Sequence, residues 1–206
     1  MIRVRTLLAA SLALALAGCI SLFPKSEPAQ LYRFGASAAP STGDAAAGPR
    51  IGVYKSPTLF NRAVGGDRIL GVTGNEAAYI ADARWAAPAP VLFDEALAQL
   101  FDANTGPARL VGRGEVAKSD LVLKLDVRNF EAVYDQGAAA APNVVVRVRA
   151  VVTRSDNRAL VGETVFEAKV RAYDNRVGAI VEAFNDASGQ VLAQIVTWTN
   201  AAASKA

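Results

Sequence analysis

Few side chains in this 206-residue chain could carry chemistry, and the types that are missing exclude more than those present. There is no histidine, which removes Ser-His-Asp and Cys-His nucleophiles, a His-ligated metal and a neutral-pH imidazole switch. The single cysteine, Cys19, leaves neither an intramolecular disulfide nor a thiolate cluster for zinc or iron–sulfur. The carboxylates group only as Asp94-Glu95 and as Asp120 with Asp126. Glycosidase chemistry needs two carboxyls facing each other across a cleft, and surface charge accounts for these groupings better. Gly65-Gly66-Asp67-Arg68 opens like a phosphate loop, but it lacks the Gly-Lys-Ser/Thr ending and precedes a predicted strand rather than a helix. It reads as a turn, with Asp67 and Arg68 placed for local hydrogen bonds. With 22 basic against 19 acidic residues and no dense Lys/Arg stripe interleaved with aromatics, nucleic acid is not an expected partner. No catalytic residue, metal or cofactor is expected. A periplasmic hydrolase using Asp94, Asp126 or an activated serine is the least favoured reading.

Cys19 is the residue with a specific chemical expectation. Arg3 and Arg5 precede an uncharged Leu/Ala-rich run from Thr6 to Ala17, a run shorter than the roughly 20 residues a spanning helix needs. Residues 1–18 therefore read as a secretory signal. Leu16-Ala17-Gly18-Cys19 resembles the bacterial lipobox. In that motif the thiol carries a thioether-linked diacylglycerol, the signal is cut before the cysteine, and the new amine is acylated, with palmitate the expected chain. An ordinary signal peptide is the alternative, and the only cysteine of the chain falling at this position argues against it. One acyl chain binds a bilayer marginally, at roughly 0.8 kcal/mol per buried methylene, so two or three together hold essentially permanently. Ile20, rather than Asp, after the cysteine favours the outer membrane. Cleavage removes Arg3 and Arg5 and leaves 20 basic against 19 acidic residues, a nearly neutral chain.

The elements that must carry these residues follow from periodicity. Residues 19–30, with Pro24 and Pro28, form a tether, and a domain is expected over 31–206 with a flexible loop of Ala, Ser, Gly and Pro at 35–49. Strands are expected at Leu31 to Phe34 and Arg50 to Thr58, followed by a hairpin of Asp67–Val72 and Glu76–Ile80 about Thr73-Gly74-Asn75. Phe93, Ala96, Leu97, Leu100 and Phe101 share one face of a helix from about Pro88 to Asp102, with acidic residues near its start. Leu121, Leu123, Leu125 and Val127 then alternate with Lys124, Asp126 and Arg128 in a strand reaching as far as Tyr134. Asn143 to Arg154 and Ala159 to Arg171 complete an antiparallel meander with one wet face, Leu160, Thr164, Phe166 and Val170 pointing inward on the last strand. Val177, Ile180, Val181, Phe184, Val191, Ile195 and Trp198 recur at steps of three or four in a long amphipathic helix, in which Gly189 allows a break. The fold class is α/β: a single domain with a mixed, largely antiparallel sheet and two main helices packed on it.

These pieces, taken in order, resemble the ABC-type transport auxiliary lipoproteins, the family that contains the lipoprotein of the paraquat-inducible Pqi system. The match is carried by the lipobox at Cys19, Leu31-Tyr32-Arg33-Phe34, Gly66-Asp67-Arg68-Ile69-Leu70, Tyr79, Ala83-Arg84-Trp85-Ala86-Ala87-Pro88, Asp120-Leu121-Val122-Leu123, Phe130-Glu131-Ala132, Ala183-Phe184-Asn185 and Trp198. The Ala-rich stretch Ala138 to Ala141 departs from the pattern. The resemblance implies a non-enzymatic lipoprotein beside an ABC permease and a periplasmic MCE-domain protein, moving lipids or other hydrophobic molecules between inner and outer membranes. It further implies docking of the periplasmic assembly at the outer membrane, with a homo-oligomeric ring of copies among the arrangements it allows. The alternative is a free-standing lipoprotein that binds lipid or assists outer-membrane assembly. Gly66, Asp67, Arg68, Arg84, Trp85, Pro88, Phe184 and Trp198 are read as structural. Trp85 is expected to anchor a strand-to-helix connection in the core with Arg84 stacked or paired beside it, a binding surface at this motif being the less favoured alternative.

Overall fold

A computed structural model describes residues 29–35, 50–112, 114–115 and 117–205. The expected signal peptide, Cys19, nearly all of the expected tether and all of the expected loop over 35–49 but Gly35 lie outside the described residues.

The organising element is β7 (Leu121–Val133), a strand too long for any one neighbour on its first edge. Three short strands lie along that edge in succession, all parallel to it: β2 (Ile51–Lys55), β3 (Leu59–Phe60) and β4 (Arg68–Thr73). Pro57, which cannot donate to a ladder, separates β2 from β3, so the single strand expected from Arg50 to Thr58 stops early. On its other edge β7 pairs antiparallel with β8 (Asn143–Arg154), and β8 with β9 (Leu160–Arg171), the expected meander. β4 turns through Gly74, at φ +58°, into β5 (Glu76–Trp85). Two strands not anticipated as partners complete the sheet: β1 (Gln30–Tyr32) runs parallel to β5, and β6 (Ala108–Leu110) parallel to β2. The sheet is mixed, its long ladders antiparallel and its short ones parallel.

Two register shifts decide which side chains meet the core. Between Val127 and Asn129 β7 carries one extra residue. Inward positions therefore pass from Leu121, Leu123, Leu125 and Val127 to Phe130 and Ala132, all buried. At the far end of β8–β9, Thr153 pairs with Leu160 after Val152 pairs with Gly162. That shift moves Leu160 to the wet face, 62% exposed, where uninterrupted alternation had placed it inside.

Helices α1 (Ala89–Asp102) and α2 (Val177–Ala203) cover the other face of the sheet, α2 against β8 and β9 and α1 against α2 and β6. α1 starts one residue beyond Pro88, and no acidic residue lies in its first turn, so the expected interaction of Asp94 and Glu95 with the helix dipole is absent. α2 is continuous through Gly189. It buries Ile180, Phe184, Val191, Leu192 and Ile195, and packing of that face offsets the roughly 1 kcal/mol cost of a mid-helix glycine.

Candidate functional site

Seven of the eight signature residues converge where β4, β5 and α1 meet. The chain enters β4 through Gly66, whose carbonyl accepts from the N–H of Ala89, the first residue of α1, at 2.9 Å. The Asp67 carbonyl accepts from Trp85 N–H at 2.7 Å. Its carboxylate receives Arg84 Nη1 at 3.0 and 3.2 Å. Pro88, with no N–H to strand unpaired, supplies the carbonyl that accepts from Val91 and Leu92. The turn 65–67 is therefore a clasp joining the end of β5 to the start of α1. Arg68 places its guanidinium 3.7 Å above the ring of Tyr79, and the Tyr79 hydroxyl donates to Ala63 O at 3.0 Å. β5 runs five residues beyond its expected end at Ile80, through an irregular stretch in which Asp82 has φ +53°.

Trp85, the last residue of β5, is buried and lies edge-on to Phe34 (5.0 Å) and Phe184 (5.3 Å), with Phe130 closing the group. Gly35 follows Phe34 at φ +78°, where a Cβ would stand 2.3 Å from that of Ala96 in α1. Its N–H donates to Asn185 Oδ1 at 2.9 Å. Trp198 does not join this cluster. It packs near the other end of α2, edge-on to Phe166 of β9 at 5.9 Å and over Gly162.

The carboxylates weighed for catalysis do not face one another. Asp94, on α1, accepts from Thr58 Oγ1 at 2.6 Å and pairs with Lys55, tying the β2–β3 connection to the helix layer. Asp126 alternates with buried Leu125 and Val127 and so lies on the opposite face of the sheet, beside Arg128 at 3.5 Å. Glu95 meets Arg33 at 3.7 Å in solvent. Asp120 Oδ2 accepts from Gly52 N–H at 3.3 Å. On the wet face Glu163 is held below the usual range by its hydrogen bond from Arg149 and Glu167 by Lys169 and Arg147; Asp135, just past β7, is lowered by Arg171, and Glu115 by the Gly112 N–H and Arg109. Among the described residues no group of three or more Asp, Glu or Cys side chains is placed to hold a metal.

One polar junction carried no signal in the spacing. Asn104 and Asn200, 96 residues apart, exchange two amide hydrogen bonds at 2.9 and 3.1 Å, and Asn200 Oδ1 also accepts from Ala108 N–H. Arg50 donates to the carbonyls of Asn104, Gly106 and Ala108, so one guanidinium gathers the whole connection into β6. The only hint was Asn200 as a polar residue near the end of an apolar helix.

Depressions among the described residues include an apolar one of about 350 Å³ between α1 and α2, bordered by Ala96, Leu100 and Leu192; a polar one of about 440 Å³ bordered by Lys118, Asp120 and Arg154; and one of about 260 Å³ beside Tyr79 and Tyr134. No helix of the described residues is long and apolar enough to cross a membrane.

The molecule is thus an α/β domain with one mixed sheet, two helices on one face, and signature residues engaged in holding strand to helix. The chain belongs to the family of ABC-type transport auxiliary lipoprotein components, whose model matches residues 36–196. An auxiliary transport component works in association with a transporter. Among solved structures the chain is similar to protein XCC0632 from Xanthomonas campestris, of family model DUF330, at TM-score 0.72 and 22% identity over 86% of this chain and 98% of that one. An uncharacterized protein is similar at TM-score 0.64 and 14% identity over 84% and 99%. The hypothetical protein CT253 from Chlamydia trachomatis is similar at TM-score 0.54 and 10% identity over 76% and 99%. At these identities the likeness concerns the fold. No curated protein matches the chain.

Proposed function

We propose that this protein is a non-enzymatic subunit of an MCE/ABC-type intermembrane lipid transport system, anchored in the outer membrane through lipid on Cys19 and docking the periplasmic assembly there. The observation that carries the reading is the family match over residues 36–196 of a chain whose only cysteine stands in a lipobox. The geometry is consistent with it. Asp67 and Arg84 hold the β4–β5–α1 clasp, Asp94 bridges two elements, and the wet-face carboxylates are paired with arginines. These pairings hold elements of the frame together, and the reading assigns function to binding surfaces. Ile20 after the cysteine favours the outer membrane.

A specific feature favours a second reading, a carrier of lipid in its own right: the apolar depression between α1 and α2, with its Leu100 and Leu192 walls. Both readings meet in one experiment, an affinity pull-down of the tagged, lipidated protein from mildly solubilised envelopes with mass spectrometry of proteins and lipids. Recovery of an MCE-domain protein and its permease, with little lipid on the isolated protein, is the expected result. Recovery of the protein alone with stoichiometric lipid overturns docking in favour of the carrier. A Cys19→Ala variant is expected to leave the membrane fraction, and its retention there would count against the anchor.

A further inference from the structure

We propose that the end of the domain formed by the β4–β5 turn, the 134–142 loop and the connection from β9 to α2 lies against the bilayer that holds the lipid on Cys19. The inference rests on the lipid anchor proposed above and adds which surface the anchored protein turns toward the membrane.

Strand polarity supplies the first argument. β1 is parallel to β5, and β5 begins at the β4–β5 turn, so the chain entering β1 arrives from the side of that turn. β4 is parallel to β7 with Val72 opposite Val133, which places the β7–β8 loop at the same end. Asn143 opposite Arg171 brings the exit of β9 there as well. Gln30 sits at the level of Ala83, seven residues from Glu76 where β5 starts, at most about 23 Å along a strand. Cys19 lies eleven residues before Gln30, a reach of at most about 36 Å. That length is enough to bring the lipid to this end of the sheet and only a little beyond it. To bring the opposite end, the Asp156-Asn157 turn, to the bilayer, the tether would have to reverse on leaving β1 and run back along the sheet.

The chemistry of this end is the second argument. Tyr173, in the connection from β9 to α2, is 68% exposed, and Tyr134, at the start of the 134–142 loop, lines the depression beside the β4–β5 turn. Tyrosine suits the membrane–water boundary, where the ring meets acyl carbon and the hydroxyl meets water. The Ala-rich stretch, which departs from the family pattern, is built onto the same end and its backbone is held. Ala138 O accepts from Asn175 Nδ2 at 3.0 Å, Ala141 O from Arg171 Nη1 at 2.8 Å, and Pro142 O from Ala172 N–H at 2.9 Å. Ala138 and Ala139 remain exposed as small apolar groups on a loop in which the carbonyls of Ala138, Ala141 and Pro142 are paired, which lowers the cost of approaching a poorly hydrated surface. The charges here are matched, Asp135 with Arg171 and Asp174 with Arg176, leaving Glu76 at the turn. At the opposite end the polar depression, with Lys118, Asp120, Arg154 and Asp156, faces away from the bilayer in this orientation.

The test uses the full-length lipidated protein in vesicles of phosphatidylethanolamine and phosphatidylglycerol. Ala139→Cys and, separately, Asn157→Cys are spin-labelled, Cys19 being blocked by its thioether. Power saturation then compares access of membrane-soluble oxygen with access of a water-soluble nickel chelate. The label at position 139 is expected to be protected from nickel several-fold relative to the protein in detergent, the label at position 157 to be unchanged, and Tyr173→Ser to reduce the protection at 139. Equal or reversed protection on vesicle-bound protein overturns the orientation and leaves the anchor standing. Failure of the protein to stay on vesicles overturns anchor and orientation together.

Discussion

Gly35 shows how much a single position can decide in this molecule. Its φ of +78° is one that residues with a Cβ occupy at a cost of about 1–2 kcal/mol, and a Cβ would stand 2.3 Å from that of Ala96. Both penalties fall on the residue that carries Phe34 into the Trp85–Phe130–Phe184 cluster. Gly35→Ala is expected to destabilise the domain by about 2–4 kcal/mol, within the range of strain and overpacking effects. The steric part is separable. Ala96→Gly alone should cost about 1 kcal/mol from helix propensity, yet placed on Gly35→Ala it should raise stability above that of the single variant. Urea unfolding of the four proteins in the cycle measures the coupling, and strictly additive costs would show that the close approach to Ala96 carries no energy.

At the scale of elements, the β7–β8–β9 meander puts Glu163 and Glu167 on its wet face and Asp135 in the loop that joins β7 to β8, and arginines and a lysine hydrogen-bond all three. Their folded pKa values lie below the unfolded ones. The stabilisation is therefore fully present above the unfolded carboxyl range, about pH 4, and is lost as pH falls through the lower folded values. With no histidine in the chain, the thermal midpoint should be flat between about pH 5 and 8 and fall below about 4. Glu163→Gln should flatten the acid limb, and added salt should shrink the difference because the pairs are exposed. An unchanged acid limb in Glu163→Gln would show that Arg149 contributes nothing through this carboxyl. The same meander was the most legible part of the chain. Val144, Val146, Val148, Ala150 and Val152 alternate without interruption, and the strand they predict has the observed limits, Asn143–Arg154. What stayed hidden depended on pairing. β6, three residues long, was not expected and exists because β2 offers it an edge, whereas the strand expected at Leu31 to Phe34 forms over Gln30–Tyr32, where β5 offers one. Leu160 left the core through a register shift that no local pattern encodes. The clasp at Gly66, Asp67 and Pro88 was readable as turn chemistry and Trp85 as a core anchor, whereas the Asn104–Asn200 pair joins residues whose spacing has no period.

At the scale of the whole molecule, one question is whether the two tryptophans report one folding unit. Trp85 belongs to the aromatic cluster at the β5–α1 junction, and Trp198 packs on β9 near the C-terminal end of α2. β7 connects their surroundings. Phe130 of that strand touches Trp85, while the strand also pairs along its full length with β8, and β8 in turn with β9 beneath Trp198. α2 makes a second bridge, since Phe184 and Trp198 stand on the same uninterrupted helix. The buried residues form one contiguous cluster spanning both regions, so neither can lose its packing without exposing apolar surface of the other. Trp85→Phe and Trp198→Phe each leave a single indole reporter, Trp198 and Trp85 respectively. Each variant's fluorescence is expected to give the same urea midpoint as its own far-ultraviolet circular dichroism, the coincidence that marks an all-or-none transition. The midpoint of Trp85→Phe should lie lower than that of Trp198→Phe, because the substituted ring comes out of a fully buried site rather than a partly buried one. Should the Trp198 signal move at a lower denaturant concentration than the dichroism of the same protein, the C-terminal part of α2 with β9 would be a separable unit, and the continuity of α2 through Gly189 would not couple the two ends.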